Sequence, residues 1–420
     1  SRFDSDGNGT IDSVVLINTL DIKDQDFYWA YRYWNVYTDE NGEFYEYDGV
    51  YARDYVWASY QFLYETVDED ETDDIWIENI SLKEAIKRLS PREMNIIERN
   101  LKVVKYYPFI NSVGVECDRN DVEGLSRRHN IEFVTAEMHV STLDNDDLTA
   151  SFFDRVSNVN LTNLTGAGTC IAVIDTGLNI HTDFCVPKSR ICHFQDMING
   201  EEYPYDDNGH GSFVTGVAIG NGLCSGKEVL GVAPDANVVS IKAISASGDS
   251  STFHILDAMQ WLYDNHQQFG VKVVCMSFGA EPTETADPLK MGAEALVRKG
   301  LTVVCAVGNN GEGNLKSPAV SNEVISVGAV DDYDEPAKFS SHGIYHGVFR
   351  PDVYAKGVKV KGVDAFGTYS FMSGTSVSAP YVAGVCCLLH QKYKNLSPYQ
   401  AKRLIMSMSK VKDGRLILQI

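Results

Sequence analysis

Positive charge is in short supply in this chain: 36 Lys and Arg stand against 58 Asp and Glu, a net charge of −22 over 420 residues. That balance argues against nucleic acid as a partner, because phosphate binding rests on clustered cations. Long apolar runs are missing too. No uncharged stretch approaches the length of a bilayer crossing, so no membrane span is expected. There is no CxxC with a second matching pair, which sets aside the usual structural zinc sites. The glycine clusters lack the context of nucleotide loops: Gly166-Ala-Gly168 precedes its apolar run instead of following it, and Asn314 stands where a phosphate loop needs Lys.

What is present is unevenly spread. The first 145 residues carry 30 of the acids and 14 of the bases. The densest acidic run, Asp68 to Asp74, reads as a solvated loop. Nine cysteines is an odd number. Cys170, Cys275, Cys305, Cys386 and Cys387 lie inside apolar runs and read as small buried hydrophobes with free thiols. Cys185 and Cys192 are the pair best spaced for a local disulfide.

Near the start, Asp4, Asp6 and Asn8 followed by Gly9 fill the opening positions of an EF-hand-type calcium loop, with Thr10 and Asp12 as further oxygen ligands. The run that follows reads as a helix. The loop resembles half of a dockerin module, but its twelfth position is Val15, not the bidentate carboxylate. Residues 27–64 are rich in Tyr, Trp and Phe without a clean period.

From Ser81 the pattern becomes regular, with a helical stretch broken at Pro91 and then strand, strand, short helix and strand to Val140. After it come short, unbroken apolar runs separated by helix-length segments: Cys170 to Ile174, Asn237 to Ile241, Val271 to Met276, Leu301 to Ala306 and Val324 to Ala329. Buried parallel strands look like this, so the expected fold is an α/β, doubly wound, mostly parallel sheet preceded by a small α+β domain. The expected divisions are 1–80, 81–143 and 144–420. In such folds chemistry gathers at the carboxyl ends of the strands.

Three blocks occur there. Asp175-Thr-Gly177 ends the first run, Asn208-Gly-His210-Gly opens a helix, and Ser373-Gly-Thr-Ser376 opens another, with Pro380 in its first turn. A serine hydroxyl needs a base, His titrates near neutrality, and a buried Asp can orient the imidazole, so Asp175, His210 and Ser376 can form a triad. Asn309, after a fourth run, can donate to a developing oxyanion together with the Ser376 N–H.

With these blocks in view, residues 166–409 resemble the subtilisin-like serine proteases. The resemblance rests on "VIDTG", "NGHGSFVTG", "SGTSVSAP", "AVGNNG" and "VLGVAP", in family order. It implies a serine endopeptidase acting on peptides or proteins, with Ser376 as nucleophile, His210 as base, Asp175 as orienting acid and Asn309 as oxyanion donor. It also implies a substrate path between Gly248-Asp249-Ser250 and Ser277-Phe278-Gly279, where a peptide would add as a β-strand. Asp183 matches a calcium ligand of some relatives, although the loop from Asn221 to Glu228 departs in length.

Residues 81–143 resemble, more weakly, the inhibitory prosegment of secreted subtilases. That implies a zymogen whose own prosegment is an intramolecular inhibitor, and export to the exterior or the cell surface, whereas free thiols favour a reducing milieu. Setting "IEFVTAEMHVSTL" against the end of such prosegments puts a self-cleavage between Leu143 and Asp144, with an apolar residue preferred before the cut. Two other readings stay open: a catalytically silent binding protein on the same fold, and a docking module carried by the acidic first third.

Overall fold

The computed structural model describes residues 14–19, 37–38, 44–45, 101–110, 112–117, 131–143, 161, 163–283 and 287–419. The candidate calcium loop Asp4 to Asp12, the acidic run Asp68 to Asp74, the helical stretch after Ser81 and Asp144 lie outside these residues. Two compact units make up the chain, Ser1–Glu137 and Met138–Ile420.

The first unit contains a four-stranded antiparallel sheet of β1 (Val14–Thr19), β2 (Leu101–Tyr107), β3 (Ser112–Cys117) and β4 (Ile131–Ala136), in the order β2-β3-β1-β4. β1 was expected as a helix and is a central strand, with Val15 opposite both Val115 and Ala136. Its residues, Val-Val-Leu-Ile-Asn-Thr, are mostly β-branched, and pairing on both sides outweighs the local helical spacing. The helix that should follow an EF-hand loop is therefore replaced by a strand. The single strand read in "IEFVTAEMHV" is two, because the chain leaves β4 at Ala136 and starts β5 (His139–Thr142) in the second unit.

The second unit is built on β6 (Cys170–Asp175), β7 (Ile191–Asp196), β8 (Asn237–Lys242), β9 (Asp249–Ser251), β10 (Val271–Met276), β11 (Phe278–Gly279), β12 (Thr302–Ala306), β13 (Ile325–Val330), β14 (Val353–Lys356), β15 (Lys410–Lys412) and β16 (Arg415–Ile417). Its helices are α1 (Thr182–Cys185), α2 (His210–Ile219), α3 (Thr252–Phe269), α4 (Pro288–Arg298), α5 (Thr375–Lys392) and α6 (Pro398–Met408).

Nine strands form one sheet in the order β15-β16-β14-β13-β12-β10-β6-β8-β7, parallel except for the β15-β16 hairpin. The five apolar runs of the sequence are its central strands β6, β8, β10, β12 and β13. β6, β12 and β13 are buried along their whole length, as strands covered on both faces must be. The order steps outward in both directions from the β6-β10 pair, so the doubly wound α/β expectation holds. α5 is apolar nearly all round and packs against α2 and the middle of the sheet.

A separate small sheet has the order β9-β5-β11. It lies where β6, β8 and β10 end, since β9 follows β8 by seven residues and β11 follows β10 by two. Both neighbours of β5 run antiparallel to it.

Candidate active site

Asp175 is the last residue of β6 and is fully buried. Its Oδ1 lies 2.6 Å from His210 Nδ1 and also accepts the Thr176 N–H at 2.7 Å. Burial pushes the Asp175 carboxyl up from its ordinary range, and the adjacent His210 opposes that rise. An imidazole fixed at Nδ1 by a carboxylate presents Nε2 for proton exchange.

His210 opens α2, and the local sequence explains why the helix starts there. Gly209 is the N-cap with φ +102° and offers no side-chain cap. Asp206 supplies the missing acceptor, taking the N–H of Gly209 and of Ser212 at 2.8 Å each and the Ser212 hydroxyl at 2.7 Å. A carboxylate at this helix end also meets the positive end of the helix dipole. The Thr176 hydroxyl donates to Asp206 at 2.8 Å and accepts the Gly211 N–H at 2.8 Å, so strand end and helix start are sewn together. Gly211 must be glycine for this approach, because a Cβ would fall 2.3 Å from the Gly177 carbonyl oxygen. Lys242, paired in register with Asp175 and fully buried, donates to the Thr176 carbonyl and to Asp207, both at 2.6 Å.

Ser376 is the second residue of α5. Pro380 is not in the first turn, as expected from the sequence, but is the sixth helical residue. A proline there lacks the N–H that would bond the carbonyl four residues back. That carbonyl belongs to Ser376, and it accepts the Ser277 hydroxyl at 2.9 Å instead. Proline thus frees a bond that ties the start of α5 to the end of β10.

Asn309 follows β12. Its Oδ1 accepts the Thr375 N–H at 3.0 Å and the Thr375 hydroxyl at 2.9 Å, which fixes the amide orientation and turns Nδ2 outward. Nδ2 donates to the Leu143 carbonyl oxygen at 2.5 Å. Gly374 marks the convergence: a Cβ there would lie 2.5 Å from the Leu143 oxygen, 2.8 Å from Ser376 Oγ and 3.2 Å from Asn309 Nδ2. A carbonyl oxygen, a hydroxyl and an amide donor therefore surround one point at which a side chain would block all three.

β5 leads to that point. Asp249, Ser250 and Ser251 pair with Ser141, Val140 and His139, while Phe278 and Gly279 pair with Thr142 and Ser141. Thr142 N–H also donates to the Gly248 carbonyl at 3.0 Å. Val140 is wholly buried and Leu143 is 5% exposed. The structure thus brings Asp175 to His210, and Ser376 and Asn309 to Leu143, with 248–250 and 277–279 flanking the same strand.

The profile of the peptidase S8 or subtilase family matches residues 166–417. The chain is a subtilase. It therefore belongs to a family of serine endopeptidases. It is similar to the serine protease AprX of Bacillus subtilis (strain 168), at 31% identity over 340 residues, covering 73% of this chain and 76% of that protein. It is similar also to the M-protease of Shouchella clausii (strain KSM-K16), at 30% identity over 336 residues, covering 80% and 82%. Among solved structures, a cold-adapted subtilisin-like serine proteinase superposes with a TM-score of 0.54 at 27% identity, covering 66% of this chain and 95% of that one.

Subtilases commonly bind calcium, and Asp183 was the candidate ligand in this subtilase. It is fully buried, with Oδ1 taking the Cys224 N–H at 3.0 Å and Oδ2 taking the Tyr369 hydroxyl at 2.8 Å. His181 and Cys224 place ligand-type atoms within 4.8 Å of it and of each other. His181 Nδ1 is spent on the Asp183 N–H at 3.0 Å. Calcium asks for six to eight oxygens; an imidazole, a thiol and a carboxylate already bonded on both oxygens do not fit. Asp183 instead ties the loop at Cys224 to Tyr369.

Cys170, Cys185, Cys192, Cys224, Cys275, Cys305, Cys386 and Cys387 are free thiols, so the expected Cys185–Cys192 disulfide is not formed. No helix among the described residues is long and apolar enough to cross a membrane. Sequence reasoning missed Asp206, Lys242, Thr375 and the Ser277 hydroxyl. The signal for Asp206 was an acid just ahead of a helix start; for Lys242 it was a lysine closing an apolar strand at the functional edge of the sheet.

Proposed function

We propose that the chain is a zymogen of a serine endopeptidase that cuts itself between Leu143 and Asp144. One observation carries the reading: the Leu143 carbonyl oxygen is bonded to Asn309 Nδ2 beside Ser376 Oγ, at the end of a strand paired on both sides.

Ser376 Oγ attacks the Leu143 carbonyl carbon while His210 Nε2 takes the hydroxyl proton. Asp175 holds the resulting imidazolium. The negative charge on the Leu143 oxygen is met by Asn309 Nδ2 and by the Ser376 N–H in the first turn of α5. Collapse breaks the bond to Asp144, whose amine leaves with the proton from His210. Water, deprotonated by the same imidazole, then releases Leu143 from Ser376.

Val140, Ser141, Thr142 and Leu143 would fill the sites before the cut. The burial of Leu143 and Val140 supports a preference for apolar residues at the cut and three positions ahead of it. The family parallel supports 81–143 as an inhibitory prosegment and export of the enzyme. Calcium binding would rest on the loop from Asp4 to Asp12, and calorimetric titration of the full chain tests it.

The main test is incubation of purified protein followed by sequencing of any new N-terminus. Wild type should yield one beginning at Asp144, and Ser376→Ala should not. Identical patterns from both would refute self-processing.

A further inference from the structure

Lys316 occupies a position that the triad chemistry does not use. Its stem is threaded between two glycines: a Cβ on Gly279 would lie 2.6 Å from Lys316 Cβ, and one on Gly308 would lie 2.8 Å from Lys316 Cγ. Its backbone bridges the same two segments. Lys316 N–H donates to the Val307 carbonyl at 3.0 Å, and Ser317 exchanges hydrogen bonds with Ala280 at 2.9 and 3.1 Å.

Those two segments also hold Leu143. Phe278 pairs with Thr142, and Asn309 binds the Leu143 oxygen. Leu143 is thus held, through its carbonyl and through its neighbour Thr142, beside the two segments Phe278–Gly279 and Val307–Asn309 that Lys316 bridges.

The Lys316 ammonium is paired with Glu281. The partners differ sharply in freedom, since the Lys316 side chain is 12% exposed and the Glu281 side chain 78%. The Lys316 stem is packed against the two glycines at its Cβ and Cγ, which limits where its ammonium can go; the carboxylate can turn into water at little cost. An incoming anion can replace Glu281, whereas an incoming cation meets a fixed like charge.

We infer that Lys316, at the floor of the pocket for the residue before the cut, gives this enzyme a second substrate class: peptides with Glu or Asp at that position. The inference rests on the proteolytic reading above and extends its apolar preference. With Leu bound, the aliphatic stem of Lys316 is the contact and Glu281 neutralises its head. With Glu bound, the substrate carboxylate takes over the ammonium. Lys and Arg are disfavoured.

The test uses the full chain after processing and quenched peptides Val-Ser-Thr-X-Asp-Asn-Asp with X as Leu, Gln or Glu, scored as kcat/KM. Glu and Gln have the same shape, so their ratio reads charge alone. Wild type should prefer Glu over Gln by about tenfold, the factor that one good ion pair of about 1.4 kcal/mol provides. Lys316→Met should bring the ratio to one or below. Glu281→Gln, at an exposed position with no folding burden, should raise it. A wild-type ratio at or below one with the Leu peptide cleaved overturns this inference alone, as does a ratio unmoved by both variants. Failure to cleave even the Leu peptide counts against the proteolytic reading itself.

Discussion

The two halves of the site are assembled by different means. Around Asp175 and His210 the contacts are side-chain charges already satisfied by other parts of the second unit: Asp206 gathers the start of α2, and Lys242 holds the Thr176 carbonyl. Around Ser376 and Asn309 the partner is a piece of backbone, the Leu143 carbonyl, and the fit is completed by strand pairing on both edges of β5. The first half is finished before any substrate arrives, and the second is finished by its occupant. On the proposed mechanism, proton transfer would be preorganised, while choice of substrate would be left to a backbone template and the pocket beside it.

Substitutions can break or sharpen that contrast. The largest effect after loss of the nucleophile is expected from Asn309→Ala, which removes the donor of the substrate-completed half. Its kcat should fall about 10²- to 10³-fold with KM little changed, read with the Leu peptide. An equal rise in KM would mean that the amide binds ground and transition states alike.

His390 offers a control outside both halves. It is buried on α5, its Nε2 lies 2.9 Å from the Thr302 hydroxyl, and burial pulls its pKa down to about 4. The folded form therefore stays neutral where the unfolded chain, with a pKa near ~6.5, takes up a proton. Stability from this group is full above about pH 6.5 and falls as pH drops towards about 4, by up to ~3 kcal/mol. Denaturant melts of His390→Gln should lack that slope, with cleavage chemistry unaltered at pH 8.

Asp206→Asn keeps the shape of the hub in the prebuilt half but not its charge. About a tenfold loss of kcat is expected, roughly the ~1.4 kcal/mol by which charged hydrogen bonds exceed neutral ones, again with KM steady. The smallest effect should come from Asp249→Asn. Its ion pair with His139 joins two side chains that are 52% and 68% exposed, so processing rates should change less than about twofold. A large effect there would mean that side chains, not backbone, hold β5.

The sequence disclosed the second unit better than the first, for physical reasons. Strands buried on both faces must be continuously apolar, so β6, β8, β10, β12 and β13 stand out. The edge strand β7, Ile-Cys-His-Phe-Gln-Asp, alternates in exposure and reads as ordinary mixed sequence. β14 and β16 are short; β14 ends in Lys356 and β16 begins with Arg415. β4 and β5 could not be separated because alternation reveals a strand without saying which sheet receives it. The four residues of the triad and oxyanion blocks were visible because glycines and helix starts surround them. Thr375, and the part of the Asp206 and Lys316 roles that reaches across the fold, were hidden because those partners lie 30 or more residues away, as the Thr176–Asp206, Asn309–Thr375 and Lys316–Glu281 bonds illustrate.

The double pairing of β5 also governs when activity would appear. Before the cut the strand is tethered, and its effective concentration at the cleft is set by chain connectivity, commonly in the millimolar range for short tethers. Cutting after Leu143 would leave every ladder bond of β5 in place but turn the tether into a separate molecule. Occupancy of the cleft would then depend on how dilute the protein is. The onset of proteolysis would follow release and dispersal of a bound product rather than the bond-breaking step, with a lag that shortens on dilution.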